Sequence, residues 1–215
     1  ASNVTSVSQI ITVIDDEDPI LILPPDIFTS NCTVDVGTAS TTDNCSVGIP
    51  SNNAPVSFPL GITAVTWQVT DSAGNAVSAT QLVTVSDTLA PTNIAPSNIS
   101  VATDSDSCIA TGVALGIPTY SDNCGVSSVT HNAPTNFPLG TTTVTWSVID
   151  YAGNESLSYQ TVSVSDTSSP ILVPPPDINS NTCVIVLGIP TITDNCTFTY
   201  SNNAPDNFPS GTTIV

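Results

Sequence analysis

The chain contains no lysine and no arginine, and its single histidine is His131, so 18 carboxylates face no permanent side-chain cation anywhere in 215 residues. That absence excludes whole classes of partner. A uniformly negative chain repels phosphate backbones and anionic headgroups, which rules against nucleic acid and against direct membrane binding by electrostatics. Without a lysine amine, an intramolecular Lys–Asn isopeptide staple cannot form. Charge is also sparse, at 8% of residues, well short of the carboxylate density of a salt-adapted surface. No signal peptide or transmembrane run is visible, and residue 1 is Ala rather than Met, so the chain is expected to be a processed or excerpted piece of something longer. Cations are the small partners that this composition favours.

Against these absences stands a repeated pattern. Asp43-Asn44-Cys45, Asp122-Asn123-Cys124 and Asp194-Asn195-Cys196 recur 79 and 72 residues apart, each followed by Asn-Ala-Pro and then Phe-Pro-x-Gly. Two copies continue through Trp67 to Asp71-Ser72-Ala73-Gly74-Asn75 and through Trp146 to Asp150-Tyr151-Ala152-Gly153-Asn154. A period of this length is a domain array, because each unit can enclose a small core of its own. Alternation in Ala64–Val69, Gln81–Val85 and Thr143–Val148, punctuated by Gly, Pro, Asn and Asp, predicts short strands throughout and no helix. The fold class expected is all-β, with tandem immunoglobulin-like antiparallel β-sandwich domains in a linear array.

Boundaries fall at the linkers that begin at Asp15, Asp87 and Asp166. Asn3 precedes Asp15 by the 12 residues that separate Asn75 from Asp87 and Asn154 from Asp166, so residues 1–14 are read as the last strand of a preceding repeat. Residues 15–86 and 87–165 are then complete domains. Residues 166–215 are a third that stops before its Trp strand, to be completed by a continuing array or by a neighbouring chain. The six cysteines form one pair per repeat, Cys32 with Cys45, Cys108 with Cys124 and Cys183 with Cys196, and local disulfides in an oxidising compartment are expected. Each would close a loop of 13 to 16 residues and stabilise its domain by about 3 kcal/mol in the chain-entropy model. Sequons at Asn3, Asn31, Asn44, Asn98, Asn154 and Asn195 fit a secreted, surface-exposed protein.

Taken jointly, the Asp-Asn-Cys loops, Phe58-Pro59-Leu60-Gly61 and Phe137-Pro138-Leu139-Gly140, the Val-Thr-Trp strands and the Asp-x-Ala-Gly-Asn turns resemble the hyalin repeat, or HYR domain. That resemblance covers essentially the whole chain. It implies an immunoglobulin-like extracellular module associated with adhesion and matrix, and it brings no catalytic residues.

In such a sandwich the loop between the second and third strands and the turn before the last strand lie at the end where the preceding domain arrives. Asp43 and Asn44 should therefore converge with Asp71, Asn75 and the linker residues Asp15, Asp16 and Asp18. Asp122 and Asn123 should likewise converge with Asp150, Asn154 and Asp87, and the third junction offers Asp166, Asp194 and Asn195. Carboxylates and amide carbonyls in turns, without histidine, are hard oxygen ligands suited to Ca²⁺, whereas Mg²⁺ demands a stricter octahedron. The competing explanation is that Asp and Asn are simply turn formers.

Other residues are read more plainly. His131 aligns with Asn52 and Asn202 and is expected to be a substituted loop residue; Trp67 and Trp146 are expected in the cores. No repeat offers an oriented base for a serine or threonine nucleophile. The function expected is a non-catalytic extracellular structural or adhesive segment, part of a calcium-stiffened, disulfide-stapled fibre or stalk. Its partners would be neighbouring repeats or copies of the same protein, and a cell-surface or glycan ligand. The alternatives are a spacer or accessory module of a large secreted enzyme and a glycan-binding adhesin.

Overall fold

A computed structural model describes residues 3–215, so the first two residues of the 1–14 segment lie outside the described residues. The β-branched alternation gives strands and turns. Among the described residues there is no helix, and hence none long and apolar enough to cross a membrane. The first repeat supplies β1 (Ile20–Ile22), β2 (Ile27–Thr29), β3 (Ser40–Thr42), β4 (Ser51–Asn52), β5 (Gly61–Thr70) and β6 (Ala76–Val85). β5 and β6 form a long antiparallel hairpin running from Gly61 opposite Val85 to Thr70 opposite Ala76. The sheet order is β2-β6-β5-β4, and β1 pairs antiparallel with β3 in a separate two-stranded sheet. β2 runs parallel to β6, Ile27 opposite Val83, so the antiparallel hairpin carries a parallel edge.

The period-two pattern sorts the faces of the hairpin. Val65, Trp67 and Val69 of β5 and Gln81, Val83 and Val85 of β6 are buried, while the residues between them face outward or are only partly covered. Phe58 completes the core, against which Leu21, Leu23 and Val34 pack. Gln81, only 1% exposed, is the polar member of this core. Its Oε1 accepts from Trp67 Nε1 at 3.0 Å, and its Nε2 donates to the carbonyls of Pro25 at 2.7 Å and Val36 at 3.3 Å. One side chain thereby ties the hairpin to two loop carbonyls that no strand ladder reaches.

The chain divides into two compact units. One comprises Ala1–Thr92, Ser121–Ser128 and Val148–Ser156; the other comprises Asn93–Tyr120, Val129–Ser147 and Leu157–Val215. The second repeat contributes β7 (Thr92–Ile94), β8 (Ile99–Ala102), β9 (Ile109–Thr111), β10 (Thr119–Ser121), β11 (Val126–His131), β12 (Asn136–Pro138), β13 (Gly140–Asp150) and β14 (Glu155–Ser165). Its main sheet has the order β11-β13-β14-β8, again with a parallel edge between β8 and β14. The core of the second unit contains Phe137, Val144, Trp146, Val162 and Val164, and Gln160 bridges Trp146 Nε1 to the carbonyls of Ser97 and Leu115. Both tryptophans are core residues, as expected. His131 ends β11 and lies edge-on to Trp146 at 4.8 Å. Its Nδ1 accepts from the Ala133 N–H, the bond that Asn52 and Asn202 make to Ala54 and Ala204. The third repeat shows the pair β15 (Ile171–Val173) and β16 (Thr191–Thr193).

The expected local disulfides do not form. The structure pairs Cys32 with Cys124 and Cys108 with Cys196, each bridge lying within one compact unit, and leaves Cys45 and Cys183 free and exposed. The hairpin gives the reason. Cys32 follows β2, whose last residue Thr29 sits opposite Val85 at one end; the Cys45 loop precedes Val47, which bridges to Asp71 at the other. Ten residues of strand separate those ends by about 30 Å, whereas a disulfide needs its Cα atoms within about 7 Å. Bonding to the next repeat's Asp-Asn-Cys loop brings them to 5.1 Å and 4.8 Å.

Two predictions follow from this packing. Replacing Gln81 by Met keeps the volume but strands the Trp67 N–H and two carbonyls, and should cost about 2–4 kcal/mol in urea unfolding; a loss below about 0.5 kcal/mol would show that the bridge contributes little. Cross-links that close loops of 92 and 88 residues should each contribute about 4.5 kcal/mol in the chain-entropy model. Non-reducing peptide maps made with a protease other than trypsin should contain Cys32–Cys124 and Cys108–Cys196, and reduction should lower the melting temperature.

Candidate metal sites

The turn that follows β5 is built around its first residue. Asp71 Oδ1 accepts from the N–H groups of Gly74 at 2.7 Å and Asn75 at 2.9 Å, while Oδ2 accepts from Asn75 Nδ2 at 2.8 Å. The Asp71 N–H donates back to the Asn75 carbonyl, closing the turn. Gly74 sits at φ +103°, a region that side-chain-bearing residues rarely adopt. The Asp150 turn repeats this geometry, with Asn154 N and Nδ2 each 2.8 Å from the carboxylate and Gly153 at φ +93°. Burial alone would raise the Asp71 carboxyl, but donors from the Asn75 side chain and from the backbone of Gly74, Asn75 and Ala73 hold it below the usual carboxylate range. In Asp150, burial is likewise outweighed by the Asn154 side chain and the N–H groups of Asn154, Gly153 and Ala152. Both turn carboxylates are thereby kept ionised although they are only 7% and 2% exposed.

Each anchored carboxylate has two companions. Asp15, Asp43 and Asp71 place carboxylate oxygens within 4.8 Å of one another, as do Asp87, Asp122 and Asp150; both trios lie in the first compact unit. Asp43 is held by the N–H groups of Cys45 and Ser46, and Asp122 by those of Cys124 and Gly125. The linker acids are held on one side only. Asp15 Oδ1 accepts from Glu17 N and Asp87 Oδ1 from Leu89 N, but Oδ2 of each is buried with no hydrogen-bond partner. A buried carboxylate oxygen without a donor, beside two further carboxylates, is a costly arrangement unless a cation satisfies it. The chain has no lysine or arginine to do so.

The asparagines act here as amide donors. Asn75 Nδ2 also reaches the Asp15 carbonyl at 3.3 Å, and Asn154 Nδ2 reaches those of Asp87 and Leu89. Asn123 donates to the Ser30 carbonyl at 2.6 Å and to Asp87 Oδ1 at 3.4 Å. Asn195 donates to Thr103 Oγ1 and to the carbonyls of Asp104 and Ser107, leaving its own buried Oδ1 without a partner. Asn44, by contrast, is exposed. Asp16 and Asp18 are exposed and stand outside the first trio, with Asp15 alone representing that linker. Asp166 and Asp194 accept from Ser168 N and Cys196 N, as their counterparts do, but no third trio forms among the described residues. Pattern reading passed over the bridging glutamines, whose signal was available: Gln9, Gln81 and Gln160 each stand six residues before Asp15, Asp87 and Asp166.

No protein-family model matches the chain. It aligns over 95% of its length, at 29% identity, with hyalin from Lytechinus variegatus, and over 94% of its length, at 30% identity, with hyalin from Strongylocentrotus purpuratus. The chain is a relative of hyalin. It spans 44% and 19% of the lengths of those two hyalins. Among solved structures, the human desmocollin-1 ectodomain aligns with 76% of the chain and 44% of its own length, at 11% identity and a TM-score of 0.24. The relationship to hyalin agrees with the hyalin-repeat resemblance of the loop, strand and turn motifs.

The depressed carboxyls set an acid limit. Because Asp71 and Asp150 titrate lower when folded than when unfolded, they stabilise the fold above about pH 4 and lose that contribution as pH falls through their folded values. In chelator, stability should therefore be flat from neutrality to about pH 5 and fall below about pH 4. Urea titrations across that range check it, and Asp71→Asn should flatten part of the acid fall.

Proposed function

We propose that this chain is a non-catalytic, extracellular adhesive or structural segment whose two acid trios each bind one Ca²⁺. The single observation that carries the metal is the pair of orphaned buried oxygens, Asp15 Oδ2 and Asp87 Oδ2, each within a trio of carboxylates. An all-oxygen donor set built on flexible turns suits Ca²⁺, which accepts irregular geometry and six to eight oxygens at about 2.3–2.6 Å. Asp15, Asp43 and Asp71 would hold one ion and Asp87, Asp122 and Asp150 the other, with waters or main-chain carbonyls completing each shell. Bound calcium would cancel the mutual repulsion within each trio and join each linker to the loop and turn that follow it. Kinship with hyalin and two disulfides support an extracellular, adhesion-related setting.

On this reading the domains are the stretches 15–86, 87–165 and 166–215, and the segment serves as a length of fibre or stalk stiffened at its junctions. Calcium-dependent melting tests the reading. At calcium ten times its dissociation constant, each site should add about 1.4 kcal/mol of stability. Isothermal titration should count two ions per chain, and Asp71→Asn or Asp150→Asn should each remove one. A melting temperature indifferent to chelator, together with no bound metal by elemental analysis, would overturn the assignment. Small-angle scattering should show a particle that is more extended in calcium and more flexible in chelator.

A further inference from the structure

The cysteine of each Asp-Asn-Cys loop finds its partner in the preceding repeat. Cys124 bonds Cys32, and Cys196 bonds Cys108. An asparagine seals each bond, because Asn123 donates to the carbonyl of Ser30 and Asn195 to that of Ser107, both within two residues of the partner cysteine. Asn123, Cys124, Asn195 and Cys196 are accordingly half-buried. The third copy of this loop is otherwise equivalent, with Asp43 holding the N–H groups of Cys45 and Ser46, yet Asn44 and Cys45 are exposed. Cys183 shows the complementary condition. It stands where Cys32 and Cys108 stand, and its carbonyl accepts from Phe208 N as that of Cys32 accepts from Phe58 N, so the loop is already in the bonded form. Cys32 is buried and Cys108 half-buried, but Cys183 is exposed.

We infer that Cys45 and Cys183 are the two halves of one further staple of the same kind, and that the surface around each docks a second copy of this chain head to tail. Cys183 of one copy would bond Cys45 of the next, with Asn44 donating to the main-chain carbonyls beside Cys183. The pairing extends an interface that the chain already forms twice, in the same register and with the same residue types. It needs no metal and is independent of whether the acid trios bind calcium. A small-molecule disulfide such as oxidised glutathione supplies the oxidation. The Cys183 thiolate attacks one of its sulfurs and expels a glutathione thiol; the Cys45 thiolate then attacks the mixed disulfide and expels the second. Two protein thiols are oxidised and one glutathione disulfide is reduced to two thiols.

The test uses the full chain with Cys32–Cys124 and Cys108–Cys196 intact, incubated with oxidised glutathione in calcium and, separately, in chelator. Non-reducing electrophoresis should show a ladder of multiples of the 22.0 kDa chain, collapsing to monomer on reduction. Peptide maps of the ladder should contain Cys45–Cys183. Cys45→Ser and Cys183→Ser should each stop the ladder at dimer, and an equimolar mixture of the two variants should give heterodimer well above the statistical half. Unchanged melting of both serine variants would confirm that neither exposed thiol supports the fold. Monomers that gain glutathione and never link, a Cys45–Cys183 bond closed within one chain, or a statistical mixture of homodimers and heterodimers would each overturn the inference. Because the ladder is read with and without calcium, its failure is distinguishable from failure of the metal sites.

Discussion

A protein without lysine or arginine has no side chain that can neutralise a buried carboxylate at neutral pH, and much of this structure answers to that constraint. Asp71 and Asp150 are buried and still held ionised, because backbone N–H groups and an asparagine amide surround them. Amide donors can support a charge in this way, but they do not cancel it. Each turn carboxylate then meets two more, and the third member of each trio keeps one oxygen that no amide reaches. The remaining demand is for positive charge from outside the chain. The same composition that rules against polyanionic partners therefore makes the acid trios dependent on solvent cations.

The hairpin of β5 and β6 is the ruler on which these features are placed. Its inner face carries the valines, the tryptophan and the glutamine that ties them to the loops, while its turn carries the anchored aspartate. Its other end fixes β2 beside Val85 and so delivers Cys32 to the Asp-Asn-Cys loop of the following repeat. Core, acid turn and disulfide are three outputs of one register. A slip of one residue would turn Trp67 and Gln81 outward together, which is why the alternation is so strictly kept in both complete copies.

Much of this was legible in the sequence because repetition supplies an internal comparison. The strands around Trp67 and Trp146, the acid turns and the convergence of Asp15 with Asp43 and Asp71 all follow from period-two alternation and from where loops must lie in a sandwich. The cysteine pairing did not follow, because sequence distance was used where spatial distance was required. Cys32 and Cys45 are 13 residues apart, yet they lie at opposite ends of a ten-residue hairpin. Asn75 and Asn154 belong to the sites as expected but as donors, a role that residue type alone does not separate from ligation. Asn154 and Asn195 also spend their amides on buried main-chain carbonyls, which conflicts with reading those two sequons as carriers of exposed glycans.

The sequence Asp122-Asn123-Cys124-Gly125 shows how tightly these tasks are combined. Asp122 enters the acid trio, Asn123 grips the Ser30 carbonyl, Cys124 bonds Cys32, and Gly125 makes room for the ring of Tyr151, to which an added Cβ would come within 3.1 Å. In the first repeat the corresponding pair is Ser46 and Ser72, whose hydroxyls hydrogen-bond to each other. Glycine accompanies tyrosine and serine accompanies serine, so the loop and the turn change together. That coupling is what a shared metal site requires, since Asp122 and Asp150 can keep their carboxylates together only if the loop and the turn that carry them pack against one another. Disulfide, amide bond and ring contact all act on the same loop. The trio is therefore assembled by the fold before any cation arrives, and the repulsion within it is opposed by covalent and packing forces rather than by the ion alone.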